Sequence, residues 1–96
     1  MKIECKKNNG ELIVEIEGRL DTVTAPELEC FLVKNYEGVT SLSFNFEKLV
    51  YVSSAGLRVL LTAHKRMKGA MKLTNVNELV MDVLEMTGFA DILTIE

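Results

Sequence analysis

Hydrophobic and polar positions alternate sharply over residues 11–17, where Leu12, Val14 and Ile16 share one face and Glu11, Glu15 and Glu17 fall with Ile13 on the other. A period of two marks a strand that is half covered. A shorter strand is predicted over residues 2–7, and Asn8-Asn9-Gly10 between the two has the composition of a tight hairpin turn, so they should pair antiparallel. The period then lengthens. Leu28, Phe31 and Leu32 form one stripe of a helix predicted over residues 25–34, with Pro26 tolerated in its first turn and Thr24 and Glu27 at capping-box spacing. Residues 41–46 return to alternation through Leu42, Phe44 and Phe46, and residues 48–53 read as the connection to a second helix, within an apolar run ending at Val52. That helix, predicted over residues 55–68, places Leu57, Leu60, Leu61 and His64 on one face; Lys65, Arg66 and Lys68 lie near its end and Gly69 closes it. A short strand over residues 71–74 follows. Asn75 or Asn77 can cap a last helix reaching residue 86, with Leu79, Val80, Val83 and Leu84 inward and Gly88 as its stop, and residues 92–95 suggest an edge strand.

Strands alternating with helices imply parallel pairs joined by right-handed crossovers, and the opening hairpin adds an antiparallel pair. The predicted fold class is a small, single-domain mixed α/β protein, residues 1–96, with helices packed on its sheet. Its 96 residues are enough for one core and no separate catalytic lobe, and the apolar share of 48% fits a globular chain. Net charge is −3 and the pI about 5.2, so the basic excess that holds phosphate backbones is missing and no nucleic-acid partner is expected. The N-terminus lacks a leader-like apolar core and no apolar run has spanning length, which predicts a cytoplasmic protein without membrane insertion. Cys5 and Cys30 lack zinc-site spacing and are expected to be free thiols.

The candidate chemistry sits where the apolar run of residues 49–52 meets the second helix. Ser54 at that junction can cap free backbone N–H groups, and Gly56 leaves the backbone open to close approach by another protein. A serine hydrolase would need a base within reach. The one histidine, His64, lies ten residues further along the same predicted helix, roughly 15 Å away at 1.5 Å per residue, and Val52 breaks the nucleophile-elbow pattern. The chain is therefore read as a non-enzyme. Nor does it carry a glycine-rich phosphate loop.

Two segments carry a resemblance that covers nearly the whole chain. Gly18-Arg19-Leu20-Asp21 with Thr24-Ala25 is similar to a G-x-L-D segment, and Tyr51-Val52-Ser53-Ser54-Ala55-Gly56-Leu57 to a hydrophobic-D-S-S-G-L segment, of the STAS domain family of bacterial anti-sigma factor antagonists. Met86-Thr87-Gly88-Phe89 adds a weaker match. The resemblance implies that Ser54 is phosphorylated by a partner that is both anti-sigma factor and serine kinase. The unphosphorylated form would bind that partner and free a sigma factor, and a serine phosphatase would reset the switch. It further implies a partner surface centred on Ser54 that takes in Asp21, Ser53 and Gly56, with no cofactor in this chain, since ATP and Mg²⁺ belong to the kinase. Arg58, read in the first turn of the helix where a cation opposes the dipole, is either a contact for a partner carboxylate or a solvated surface arginine. Asp21 reads equally well as a turn carboxylate. Three departures stand out: Ser53 replaces the aspartate before the phosphorylated serine, Ala55 replaces the second serine, and Asn45 replaces an aspartate ending the preceding strand. The alternative reading is a STAS module of a membrane transport or lipid-handling complex that binds partners without phosphorylation, with Lys65-Arg66-Met67-Lys68 as its candidate basic surface.

Overall fold

Leu12, Val14, Ile16 and Leu20 are fully buried along a ten-residue strand, β2 (Glu11–Leu20), in the computed structural model, which describes residues 1–96. Only one face of that strand is covered, so the alternation in the sequence becomes an inside and an outside. β1 (Lys2–Asn8) pairs antiparallel with it, Cys5 opposite Val14 and Asn8 opposite Glu11. Asn9 and Gly10 close the hairpin, both at positive φ, as a primed two-residue turn demands.

The chain continues through α1 (Ala25–Asn35), β3 (Ser41–Asn45), β4 (Leu49–Val52), α2 (Ser54–Arg66), β5 (Met71–Thr74), α3 (Glu78–Met86), a single 3₁₀ turn at Phe89–Asp91 and β6 (Thr94–Ile95). The sheet runs β1-β2-β3-β5-β6, and every pair after the hairpin is parallel. β4 stands off this path. It pairs parallel with the far end of β2, beyond an irregularity between Gly18 and Arg19, so β2 is shared by β3 at its start and β4 at its end. The result is a mixed α/β sheet with helices packed on it, the fold class that the sequence predicted, with six strands where the sequence suggested five.

All three helices press on one face. Leu28 and Leu32 of α1, Leu57, Val59, Leu60 and Ala63 of α2, and Val80 and Leu84 of α3 join Leu12, Val14, Ile16, Leu42, Phe44 and Leu73 in a single buried cluster. The opposite face is polar and open, with Lys2, Glu4, Glu15 and Glu17 on the first two strands and Lys72 on β5. No helix is long and apolar enough to cross a membrane.

Several local expectations change. Residues 48–53 are not merely a connection, because Leu49–Val52 forms β4; its burial runs in–out–out–in, which is why no clean alternation announced it. The inward stripe of α2 passes through Val59 and Ala63, leaving Leu61 and His64 only half-buried, and the helix stops at Arg66 as Lys68 and Gly69 adopt positive φ. Leu79 is 70% exposed on α3 instead of facing the core. Asn77, not Asn75, caps that helix: its side-chain oxygen accepts from the Val80 N–H at 2.9 Å while its Nδ2 donates to the Leu49 carbonyl at 2.6 Å, tying α3 to β4. The Thr24–Glu27 capping box does not form, since the Thr24 side chain makes no cap bond to α1.

Candidate partner-binding site

The ends of β2 and β4 set the position of the site. Leu20 pairs with Val52, and one residue later the Ser53 N–H donates to the Leu20 carbonyl at 2.9 Å, which extends the strand pairing up to the helix start. Ser53 is extended (φ −99°, ψ 175°) and its Oγ accepts from the Gly56 N–H at 3.4 Å. Capping therefore belongs to Ser53 and not to Ser54, a correction to the sequence reading. Ser54 becomes the first helical residue, exposed, with its hydroxyl outside the hydrogen bonds that build the junction. Its neighbours are firmly held while its own oxygen is free to react or to touch a partner.

Gly56 is buried, contrary to the expectation that its bare backbone faces a partner. A Cβ there would lie 2.7 Å from Leu20 Cγ and 2.9 Å from the Leu20 carbonyl oxygen. The close approach it permits is internal: it lets the start of α2 sit directly on the end of β2, and so presents Ser54 from rigid backbone.

Asp21 follows Leu20 at the same end of the sheet. Its Oδ1 accepts from the Val23 N–H at 3.0 Å and the Thr24 N–H at 3.1 Å, its Oδ2 lies 3.6 Å from the Arg19 guanidinium, and its own N–H donates to Thr24 Oγ at 2.8 Å. The carboxylate thus shapes the loop into α1, which favours the turn reading over a free contact. The Thr24 backbone bond, reinforced by the Thr24 hydroxyl, the Val23 N–H and Arg19, holds its pKa below the usual 3.8 against the opposing effect of desolvation. For a carboxylate whose folded pKa is depressed, the stabilisation is complete above the unfolded value and disappears as pH falls through the folded value. The stability gap between the wild type and Asp21→Asn should therefore be largest above about pH 4 and close towards pH 2 in thermal melts; a gap constant across that range would contradict the assignment.

Around these residues lie groups that the sequence reading had not singled out. The Arg19 guanidinium stacks 4.2 Å over the Tyr51 ring, a neighbour set by the Arg19–Tyr51 strand register, and Val23 is 84% exposed in the loop beside Asp21. Tyr51 was invisible as a surface group because it sits in the apolar run Leu49–Val52, which reads as core, whereas Val23 lies between Thr22 and Thr24 in a polar loop that the sequence reading passed over on its way to α1. Arg58 is exposed in the second turn of α2 and shares with Thr22, Glu29 and Cys30 a groove between α1 and α2 of about 320 Å³. Asn45 ends β3 with its Oδ1 accepting from the Glu47 N–H and from Asn75 Nδ2, both at 3.0 Å. His64 lies far along α2 with a buried Nδ1 lacking a hydrogen-bond partner, and Cys5 and Cys30 are free and exposed. The arrangement brings Asp21, Ser53, Ser54 and Arg58 to the end of the sheet where β2 and β4 meet the start of α2, with the Ser54 hydroxyl unengaged.

A family model described as STAS domain matches residues 2–96. The chain is 31% identical over 98 residues to the anti-sigma-B factor antagonist of Bacillus subtilis, a match covering 99% of this chain and 90% of that protein. Its fold superposes with a TM-score of 0.86 on an anti-sigma factor antagonist from Mycobacterium paratuberculosis, at 18% identity and covering 98% of this chain and 83% of the other. The phosphorylated form of the Bacillus cell fate determinant SpoIIAA superposes at 0.74 with 16% identity, over 99% of this chain and 91% of its own.

Proposed function

The chain belongs to the STAS domain family, and from that premise we propose that it is an anti-sigma factor antagonist whose docking to an anti-sigma factor with serine-kinase activity is controlled by phosphorylation of Ser54. The observation that carries the reading is the exposed, uncapped Ser54 hydroxyl at the first position of α2, held by a junction that needs nothing from it. Ser53 is the poorer acceptor, because its Oγ is half-buried and engaged with the Gly56 N–H.

The switch works by charge. A phosphate adds about −1.5 to −2 charges, which a helix N-terminus tolerates and in part welcomes. The fold survives the modification. At a close-packed interface the same charge must lose its water, and an unpaired buried charge costs on the order of 2–5 kcal/mol. The complex does not survive it. In the unmodified state the domain occupies the anti-sigma factor and a sigma factor goes free; a serine phosphatase hydrolyses the phosphoester and restores that state. Neutral Ser53 and Asn45 spare the phosphate the like-charge neighbours that aspartates at those two positions would provide, which lowers the local penalty on the modified state. The chain acts as a binding module, with ATP and Mg²⁺ supplied by the partner, which places the exchange in the cytoplasm.

Incubation with the cognate kinase and ATP, followed by mass spectrometry, tests the reading. One phosphate on Ser54 is expected, and none on Ser54→Ala. Label confined to Ser53 would overturn the site, and absence of label would favour the alternative, a STAS module of a membrane transport or lipid-handling complex.

A further inference from the structure

Arg58 stands one helical turn after Ser54, and both side chains are exposed. Residues four apart on a helix have Cβ atoms about 5–6 Å from one another, and long side chains favour rotamers that lean towards the helix N-terminus, which puts an anion on Ser54 within reach of the Arg58 guanidinium. Every other strong use of a cation is elsewhere. The ion pairs join Lys2 to Glu4, Arg19 to Asp21, Lys48 to Glu15 and Lys72 to Glu96, and the ring stacks employ Arg19 and Arg66. Arg58 is left without an acid. Asp21, at the end of β2, is already occupied by two N–H groups and Arg19, while Glu29, across the groove on α1, makes no ion pair.

Resting on Ser54 as the phosphate acceptor, we propose that the Ser54 phosphate captures Arg58 in an ion pair within α2, so that one modification both adds an anion to the docking surface and withdraws a cation from it. An anion preceding a cation by four residues is the favourable order on a helix, and the guanidinium fork matches phosphate oxygens two at a time. A partner carboxylate that meets Arg58 in the unmodified complex then loses its counter-ion at the moment the phosphate repels it. Arg58 is thereby a positioning residue of the switch: it turns a local change at one oxygen into rearranged charge along a full turn of α2.

The test uses the full chain with phosphoserine incorporated at position 54 during translation, which requires no kinase. Phosphorus NMR titration reads the second ionisation of the phosphate. Arg58→Gln should raise that pKa by about 0.2–0.4 pH unit relative to Arg58, Arg58→Lys should recover part of the difference, and salt near 1 M should erase it. Equal values for all three chains, or a rise in Arg19→Gln with none in Arg58→Gln, would overturn the pairing. Because the phosphate is encoded, this outcome is separate from the kinase assay: failure of the kinase to label Ser54 would remove the switch while leaving the ion pair measurable.

Discussion

Ser54→Asp is expected to weaken binding to the anti-sigma partner by tens to thousands-fold while the domain unfolds at the same temperature or a few degrees higher. The two halves of that result come from the same residue in two surroundings. In the free domain Ser54 is exposed at the first position of α2, where a carboxylate near the positive end of the helix dipole contributes about 0.3–1 kcal/mol. For a domain of this size that shifts the midpoint upward by roughly 2–6 °C. In the complex the carboxylate must shed water against a partner shaped for a neutral hydroxyl, at a cost of about 2–5 kcal/mol, which corresponds to the stated range of affinity. Aspartate carries less charge than phosphate, so it should fall in the lower part of that range and true phosphoserine in the upper part. Ser54→Ala should bind like the wild type. Calorimetric titration with the partner and thermal melts by circular dichroism measure both halves; unchanged affinity for Ser54→Asp would remove the charge mechanism, and a collapsed melting curve would show that position 54 serves folding.

What could be read from the amino acids alone follows from which signals are local. The alternation over residues 11–17, the Asn9-Gly10 turn and the existence of α2 depend on neighbours within a few residues and appear in the fold, whereas the extension of β2 to Leu20 and the inward stripe of α2 through Val59 and Ala63 are set by packing against distant strands. β4 was missed because the apolar run Leu49–Val52 hides two outward residues among inward ones, and what makes it a strand is its pairing with the distant Gly18–Leu20 segment. The same pairing decides between two adjacent serines. Either can cap a helix; Ser53 does so because its N–H is already bound to the Leu20 carbonyl, which fixes it as the last extended residue. Thr24 and Glu27 had the spacing of a capping box, yet the loop is organised by the Asp21 carboxylate instead, a competition among short polar side chains that spacing cannot settle. Resemblance to the STAS family carried the step from a helix start to a switch, since nothing in composition distinguishes Ser54 from any other serine at a helix end.

Gly56→Val is expected to lower stability by about 3 kcal/mol or more and to reduce the melting temperature by more than about 10 °C. An added Cβ meets Leu20 Cγ at 2.7 Å, the Leu20 carbonyl oxygen at 2.9 Å and Val52 Cγ2 at 3.0 Å, so the clash involves backbone as well as side chains. Rotamer changes relieve only part of it. Gly56→Ala should be milder, because overpacking of about 1–3 kcal/mol is offset by roughly 1 kcal/mol gained when alanine replaces glycine inside a helix. Leu20→Ala alone leaves a cavity in a fully buried site and costs about 2–5 kcal/mol. Combined with Gly56→Ala it should cost less than the sum of the two, since the cavity receives the new methyl group, but the carbonyl at 2.9 Å keeps the compensation incomplete. The same displacement reaches the surface: if α2 moves off β2, the Ser53 cap and the presentation of Ser54 move with it, so kinase labelling of folded Gly56→Ala should slow even where its stability is nearly normal. Urea unfolding of the single and double variants, with labelling rates measured on the fraction that is folded, separates these effects. A Gly56→Val chain as stable as the wild type would mean that α2 does not rest on β2 at this point and that the rigid platform assigned to Ser54 is absent.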